Sequence, residues 1–233
     1  MKKNLSLTAA LLLTSLCLSA QGATYAGNGI STWDGAVGLG SLNLTDDGTT
    51  LNLTLTKGPG DLNDTLVIYV DSVAGGFSDT SGFTDTGDGA RTAISGFDGS
   101  DRSTMTFVSG FQPDYAVAFQ GGYASLFTLV NGGSFNWDGG TGQAGNSSPT
   151  FSLSFPLASI GVSAGQSFEL FGTYIASSAW RGPEAIAGND AGSDGYNPFT
   201  QTAFSTYTTV PEPSTLALLG AGLASLFCLR RRQ

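Results

Sequence analysis

Apolar side chains occupy every second position in several short segments of this chain. Residues 50–56 have the sequence TLNLTLT, and residues 150–155 have the sequence TFSLSF. Successive side chains of a β-strand point to opposite faces of a sheet, so this period of two gathers the leucines and phenylalanines on one face. A helix needs a period near 3.6 instead. Both segments are therefore predicted to be strands with one buried and one exposed face.

The rest of residues 21–209 fits the same all-β class. Glycine supplies 34 of the 233 residues and stands with Asp, Ser, Thr and Asn between the apolar segments, as in tight turns. The continuous apolar run 65–70 is typical of a strand covered on both faces. Further strands are predicted at 39–45, 103–108, 115–119, 124–130, 167–176 and 203–208, with a hairpin turn at 46–48 and one helical turn at 156–161. About nine short strands favour a single antiparallel β-sandwich, jelly-roll-like in type.

The N-terminal residues 1–20 have the pattern of a secretory signal peptide. Lys2 and Lys3 precede an apolar run at 5–18, and the small pair Ser19-Ala20 follows it. This order predicts cleavage after Ala20. The alternative is an uncleaved membrane anchor, although the run is short for a membrane span.

The C-terminal residues 210–233 combine three features in order. A Pro-Glu-Pro triplet is followed by an apolar run at 216–229 and by a terminal arginine cluster. The run predicts a transmembrane helix of about 21 Å, short of a full hydrocarbon core. Basic residues stay on the cytoplasmic side, so the arginines predict that the body lies outside. The residues of the triplet and the cluster are Pro211, Glu212, Pro213, Arg230, Arg231 and Arg232.

This arrangement resembles the PEP-CTERM sorting signal of Gram-negative bacteria. The resemblance implies recognition by an exosortase, a membrane cysteine protease/transpeptidase, with cleavage near the triplet. It also implies export across the inner membrane, transient anchoring by the tail helix, and delivery to the cell surface or the extracellular matrix. The family is associated with exopolysaccharide, biofilms and flocs. The alternative is a single-pass protein that keeps its tail as a permanent anchor.

The composition of the body excludes several functional classes. Residues 21–210 contain four basic residues and 17 carboxylates, a formal charge of −13, and neither cysteine nor histidine. Nucleic-acid binding relies on clustered Lys and Arg, so no nucleic acid is expected as a partner. Thiol nucleophiles, disulfides, the usual zinc sites and Ser-His-Asp triads are also excluded there.

Aspartates are frequent between residues 71 and 101, among Gly and Ser. Asp71, Asp79, Asp85 and Asp88 are candidate calcium ligands, because calcium takes several oxygen ligands in flexible geometry. The alternative is that these residues only form turns, or that Arg91 or Arg102, which flank the cluster, pairs with them. Apart from this possible calcium, no cofactor is predicted.

Aromatic residues in Gly- and Asp-rich surroundings are the other candidates for a site. Trp33, Trp137, Trp180 and Tyr123 are predicted carbohydrate contacts if they are exposed. The alternative is that each belongs to the core. The segment 50–176, with TLVIYVDS, DYAVAF and FSLSFPLASIGVSAGQSFEL in this order, also resembles DOMON-like and related carbohydrate-binding β-sandwiches. It contains no His, so it lacks the His and Met pair that haem-binding members use.

Three functions follow from these features. The preferred one is a non-enzymatic, exported structural or adhesive protein, sorted by an exosortase and associated with exopolysaccharide or biofilm. The second is a calcium-supported carbohydrate-binding module. The third is a glycoside hydrolase that uses carboxylates, with Glu169 or Glu184 as candidate acids and the long segment 177–199 as an irregular functional loop.

Overall fold

A computed structural model of the protein describes residues 21–191 and 194–211. The predicted signal peptide with Ala20, the tail helix at 216–229, the arginine cluster, and Glu212 and Pro213 of the triplet lie outside the described residues. The first strand begins at Gln21, the residue after the predicted cleavage position. No helix within the described ranges is long and apolar enough to span a bilayer.

Strands are the predominant secondary structure of the described chain. They are β1 (Gln21–Ala26), β2 (Ser41–Asp46), β3 (Thr50–Thr56), β4 (Thr65–Asp71), β5 (Met105–Thr106), β6 (Tyr115–Phe119), β7 (Tyr123–Thr128), β8 (Asn136–Gly142), β9 (Thr150–Pro156), β10 (Ser167–Ile175), β11 (Arg181–Ile186), β12 (Gly188–Ala191) and β13 (Phe199–Thr208). One α-helix, α1 (Gly89–Ser95), and one 3-10 turn (Leu157–Ile160) complete the set.

The strands form two sheets. The smaller has the order β1-β2-β3-β9, and the larger has the order β12-β13-β10-β4-β6-β7-β8, with β11 beside β10 and β5 beside β13. Neighbouring strands are antiparallel, except for the two-residue parallel pairing of β5 with β13. The all-β class is confirmed. The smaller sheet is wholly antiparallel, and the larger sheet is mixed because of the β5–β13 pair. The jelly-roll connectivity stays a prediction.

The main apolar core lies between the two sheets, as in a β-sandwich. In the smaller sheet, Leu53 stands between Leu44 of β2 and Leu153 of β9, so the alternating leucines form continuous rows. These rows pack in one cluster with side chains of the larger sheet such as Ile68 and Val117. The period-two prediction for the smaller sheet is confirmed.

A second core covers the opposite face of the larger sheet. Helix α1 and the chain around it bury this face with side chains such as Ile94 and Phe111, against Tyr69 and Phe171 of the sheet. Asp88 begins the helix by accepting a hydrogen bond from the Arg91 amide, and a left-handed glycine ends it. The prediction that both faces of the run 65–70 are covered is therefore confirmed.

Several elements differ from the sequence-based expectation. Strands β1, β8, β11 and β12 and helix α1 were not predicted. The segment 177–199 was expected to be irregular, which is wrong because β11 and β12 lie within it. Strand β11 contains Gly and Pro, so local propensity argues against a strand there. Pairing with β10 and burial of most of its residues override that propensity.

At Ser152, the free edge of β9 is hydrogen-bonded by a side chain. The carboxamide of Gln143, just beyond β8, donates to the Ser152 carbonyl at 2.8 Å and accepts from the Ser152 amide at 2.9 Å. A primary amide has the same donor and acceptor as a peptide group, so Gln143 supplies the bonds that another strand would make.

Three polar side chains, one each from β10, β11 and β12, form a cluster. The Arg181 side chain is fully buried and donates to the Thr173 hydroxyl at 3.1 Å, and that hydroxyl lies 3.4 Å from the Asp190 carboxylate. Burial raises the pKa of Asp190 to about 6, although the charge of Arg181 and the bond from Thr173 act in the opposite direction. Between about pH 4 and 6 the folded protein therefore keeps a proton on Asp190 that an unfolded chain has already released.

The free energy of unfolding of the body should depend on pH because of Asp190. Between about pH 4 and 6 the unfolded state loses a proton that the folded state keeps, so the free energy of unfolding should fall as pH rises, by about 2–3 kcal/mol from this group. Asp190→Asn removes this component whatever its effect on absolute stability. Urea unfolding of both proteins across this window measures the difference, and parallel curves would contradict it.

Candidate functional site

An open groove of about 390 Å³ lies on the outer face of the larger sheet, between α1 and the strands β7 and β8. It is formed where the cover over this face ends and the last two strands are left partly uncovered. Its lining combines aromatic rings with charged and amide side chains: Asp88, Ala90, Arg91, Gln120, Tyr123, Ser125, Phe127 and Trp137.

Strand geometry places the aromatic residues of the groove on one face. Tyr123 and Phe127 are four positions apart on β7 and therefore point to the same face. Phe127 pairs with Trp137 of β8. The Tyr123 side chain is 42% exposed and that of Trp137 is 56% exposed. The phenol of Tyr123 lies over Gly140, where a β-carbon would stand 2.7 Å from the ring. Glycine at this position thus lets the ring lie across the strand.

Charged and polar groups border these rings and are held in place. The Arg91 guanidinium lies 3.1 Å from the Asp85 carboxylate and 3.0 Å from that of Asp88, and it stands 4.9 Å from the centre of the Phe127 ring. The Gln120 amide donates to the Thr65 hydroxyl at 2.9 Å. A groove with flat exposed rings and fixed hydrogen-bonding groups can stack on and bond to a polar ligand with flat apolar faces.

The four aspartates predicted as calcium ligands are not brought together. Asp85 pairs with Arg91, and Asp88 caps α1. Asp79 accepts from the Ser81 hydroxyl and amide, which lowers its pKa, and Asp71 accepts from a backbone amide while burial raises its pKa. Within the part of the chain that the structure describes, no three His, Cys, Asp or Glu side chains are placed to hold a metal ion together. Calcium binding stays a prediction without a ligand set.

Trp33 and Trp180 form a separate pair at the end of the sandwich where β10 finishes. Both indole N–H groups donate to the carboxylate of Asp194, at 3.2 Å and 2.5 Å. Trp33 packs edge-on against Tyr174 at the margin of the main core, whereas Trp180 is 40% exposed. Of the four predicted aromatic contacts, the structure thus brings only Tyr123 and Trp137 into one groove.

Glu184, a candidate acid in the hydrolase hypothesis, is fully buried and engaged in backbone hydrogen bonds. One carboxylate oxygen accepts from the amides of residues 33 and 35, and the other accepts from the amides of residues 37 and 38, all at 2.8–3.0 Å. The sequence gives only an indirect signal for this role, the glycine-rich segment 27–40. Glu169 instead faces Asp71 across the strands, and burial and the charge of Asp71 raise its pKa.

The end of the body is tied down up to residue 210. The buried carboxylate of Asp46 accepts from the Val210 amide at 3.0 Å and from the Tyr207 hydroxyl at 2.7 Å. The Thr209 amide and hydroxyl both bond to the Gln166 carbonyl, and the Val210 carbonyl accepts from the Gly165 amide. Val210 is itself buried. The chain therefore leaves the body at Pro211, with no free linker before it.

A comparison with protein-family models matches residues 209–232 to the PEP-CTERM protein-sorting motif. The chain carries a PEP-CTERM sorting motif. The match confirms the resemblance drawn from the triplet, the apolar run and the arginine cluster, and it implies an exosortase substrate that is exported and transiently anchored. No curated protein and no solved structure matches the chain. The likeness of 50–176 to DOMON-like sandwiches stays a prediction.

The matched PEP-CTERM motif overlaps the folded body. Thr209 and Val210 belong to the match and are also hydrogen-bonded into the sandwich. The predicted domain boundary at 209/210 is set by the start of the Pro-Glu-Pro signal, and the sequence gives no sign that the fold continues across it. The buried Asp46 could not be distinguished in sequence from an ordinary turn aspartate, because it stands in the turn sequence Asp-Asp-Gly.

The role of Glu184 predicts a contrast between two isosteric substitutions. Glu184→Gln should lower the free energy of unfolding by about 2–4 kcal/mol, because its NH₂ group would face backbone N–H donors in a buried site. Glu169→Gln, at the partly exposed position, is the matched control and should change stability by less than about 1 kcal/mol. Urea unfolding at neutral pH measures both, and equal effects would contradict the structural role.

Proposed function

We propose that this protein is a non-enzymatic component of the cell surface or extracellular matrix of a Gram-negative bacterium. An exosortase would deliver it there, and its groove at Tyr123 and Trp137 would bind exopolysaccharide. The PEP-CTERM motif supports the delivery route. The observation that carries the binding role is the pair of exposed rings on adjacent strands, bordered by the fixed Arg91 and Gln120 side chains.

Sugar rings fit such a groove for a physical reason. Their axial C–H faces are apolar and flat enough to stack on an aromatic ring, while their hydroxyls need donors and acceptors at the rim. Arg91 and Asp88 offer both kinds of group beside Phe127. The rings are presented by strands of a packed sheet rather than by loops, so binding would not require them to be ordered first.

A structural or adhesive role is preferred over catalysis by Glu184 because of the hydrogen bonds that its carboxylate already makes. Both oxygens of Glu184 already accept backbone hydrogen bonds, so this group has no free position for a proton donor's contact with a glycosidic oxygen. The acidic body, with few basic residues, suits solubility outside the cell rather than attachment to anionic polymers by charge.

Polysaccharide binding should depend on the exposed rings. In native gels cast with exopolysaccharide from the producing culture, Trp137→Ala and Tyr123→Ala should each weaken the retardation about fivefold or more, because a truncated aromatic anchor loses most of its contact. Trp180→Ala removes an exposed tryptophan outside the groove and is the matched control. Retardation that survives in both groove variants, with melting temperatures unchanged, would exclude the groove.

The delivery route has its own test. Glu212→Ala changes the central residue of the triplet and should leave the protein in the inner membrane with its tail attached. Intact mass and terminal peptides of the protein from medium and from membranes measure this. Release equal to that of the wild type would contradict sorting through the triplet, and a wild-type protein that keeps residues 216–232 would indicate a permanent anchor.

A further inference from the structure

The body ends beside two tight turns where the chain leaves it. We define the exit end as the β2–β3 turn at 46–49, the turn at 163–166 and residues 210–211. Gly48 and Gly165 both have positive φ, and β-carbons built on them would stand 3.5 Å from the Val210 carbonyl and 3.6 Å from Pro211. Ala164 adjoins Gly48 at a similar distance. Three small residues, Gly48, Ala164 and Gly165, therefore lie beside the departing chain.

The tail can separate the exit end from the membrane by only a short distance. Val210 is fixed by its hydrogen bond to Asp46, and the apolar run begins at residue 216. Six residue steps span at most about 20 Å when fully extended, and a headgroup layer takes up about 5–8 Å of that on one side of a bilayer. Before processing, the exit end thus lies at the level where a membrane enzyme must reach the triplet.

The exit end is also acidic. Asp47 is exposed in the β2–β3 turn, and Asp71, Asp114 and Glu169 lie at the same end of the larger sheet, where β4 finishes and β10 begins. None of the four basic residues of the described ranges lies in the two turns of the exit end or at residues 210–211. Lys57 follows β3, and the other three lie on α1, in the segment before β5 and on β11. An acidic surface is repelled by anionic headgroups and attracted by a basic protein surface.

From these three observations we propose that the exit end is a docking surface for the outer face of the exosortase, which contacts the folded body with a basic patch while it processes the tail. This inference rests on the proposed exosortase route and adds that the enzyme contacts the folded body as well as the motif. Because the residues beside Val210 and Pro211 are small, the enzyme can contact the body next to the triplet without a clash. A lipid surface is the other possible neighbour, and the charge of the exit end disfavours it.

The test uses the full chain in a host with an exosortase and in the same host without it, and it measures the rate at which the tail is lost, by pulse-chase and intact mass. Ala164→Arg adds bulk and positive charge at the exit end and should slow processing about fivefold or more. Ala144→Arg makes the same change in the exposed segment after β8, near the opposite end of the sandwich, and should process like the wild type.

A spacer distinguishes contact from misfolding. A glycine-serine insert of about eight residues between Val210 and Pro211 lets the body move away from the enzyme, so Ala164→Arg with the insert should return to within about twofold of the insert alone. Asp47→Asn is a second, milder variant, because an asparagine oxygen can still accept the turn's bonds from residues 49 and 50. It should slow processing about twofold or more through loss of charge.

The outcomes separate the two proposals. If the wild type keeps its tail in both hosts, exosortase sorting fails and the docking surface fails with it. If the wild type is processed only in the host with the enzyme, and Ala164→Arg and Asp47→Asn are processed as fast, sorting stands and the docking surface is overturned. Slow processing of Ala164→Arg that the spacer does not relieve, with an unchanged melting temperature, also overturns it.

Discussion

The central strands of the larger sheet are apolar on both faces, and the other layers of the protein are arranged by this constraint. β4, at its centre, has six consecutive buried residues, so neither face can be left to water. The smaller sheet covers one face with its rows of leucine and phenylalanine. Helix α1 and its surrounding chain cover the other. Because this second cover ends at α1, Tyr123 of β7 and most of β8 reach solvent, and the aromatic groove lies at that boundary.

The strands that could be predicted are those whose own pattern decides their structure. β3 and β9 alternate strictly, and the centre of β4 is continuously apolar, so hydrophobic burial alone specifies them. β8 and β11 could not be found in this way. β8 has the sequence NWDGGTG and is exposed along most of its length, and β11 contains Gly and Pro. Both are strands because a neighbour offers hydrogen-bonding partners, which a local pattern does not record.

The sequence predicts the kinds of residue that form the site, but only some of the residues that lie together in it. The sorting motif depends on order and terminal position, both of which are visible in sequence, whereas ligand contacts depend on exposure and register. Tyr123 and Trp137 share a groove because β7 and β8 pair, while Trp33 and Trp180 share an aspartate at another place. The aspartates of 71–101 cannot be told apart in sequence, but they have different structural roles. One caps a helix, one pairs with an arginine, and others accept hydrogen bonds in turns. These roles depend on which residues lie nearby in the folded protein.

The carboxamide of Gln143 has a consequence for the protein's passage through the cell envelope. Proteins tethered to one membrane diffuse in two dimensions and meet one another far more often than in free solution. Unpaired strand edges then become sites of self-association and fibre growth. Gln143 occupies the backbone groups of Ser152 on β9, so a copy waiting on the membrane presents less of a template to its neighbours. A single side chain thus favours the transport of separate molecules over their premature assembly.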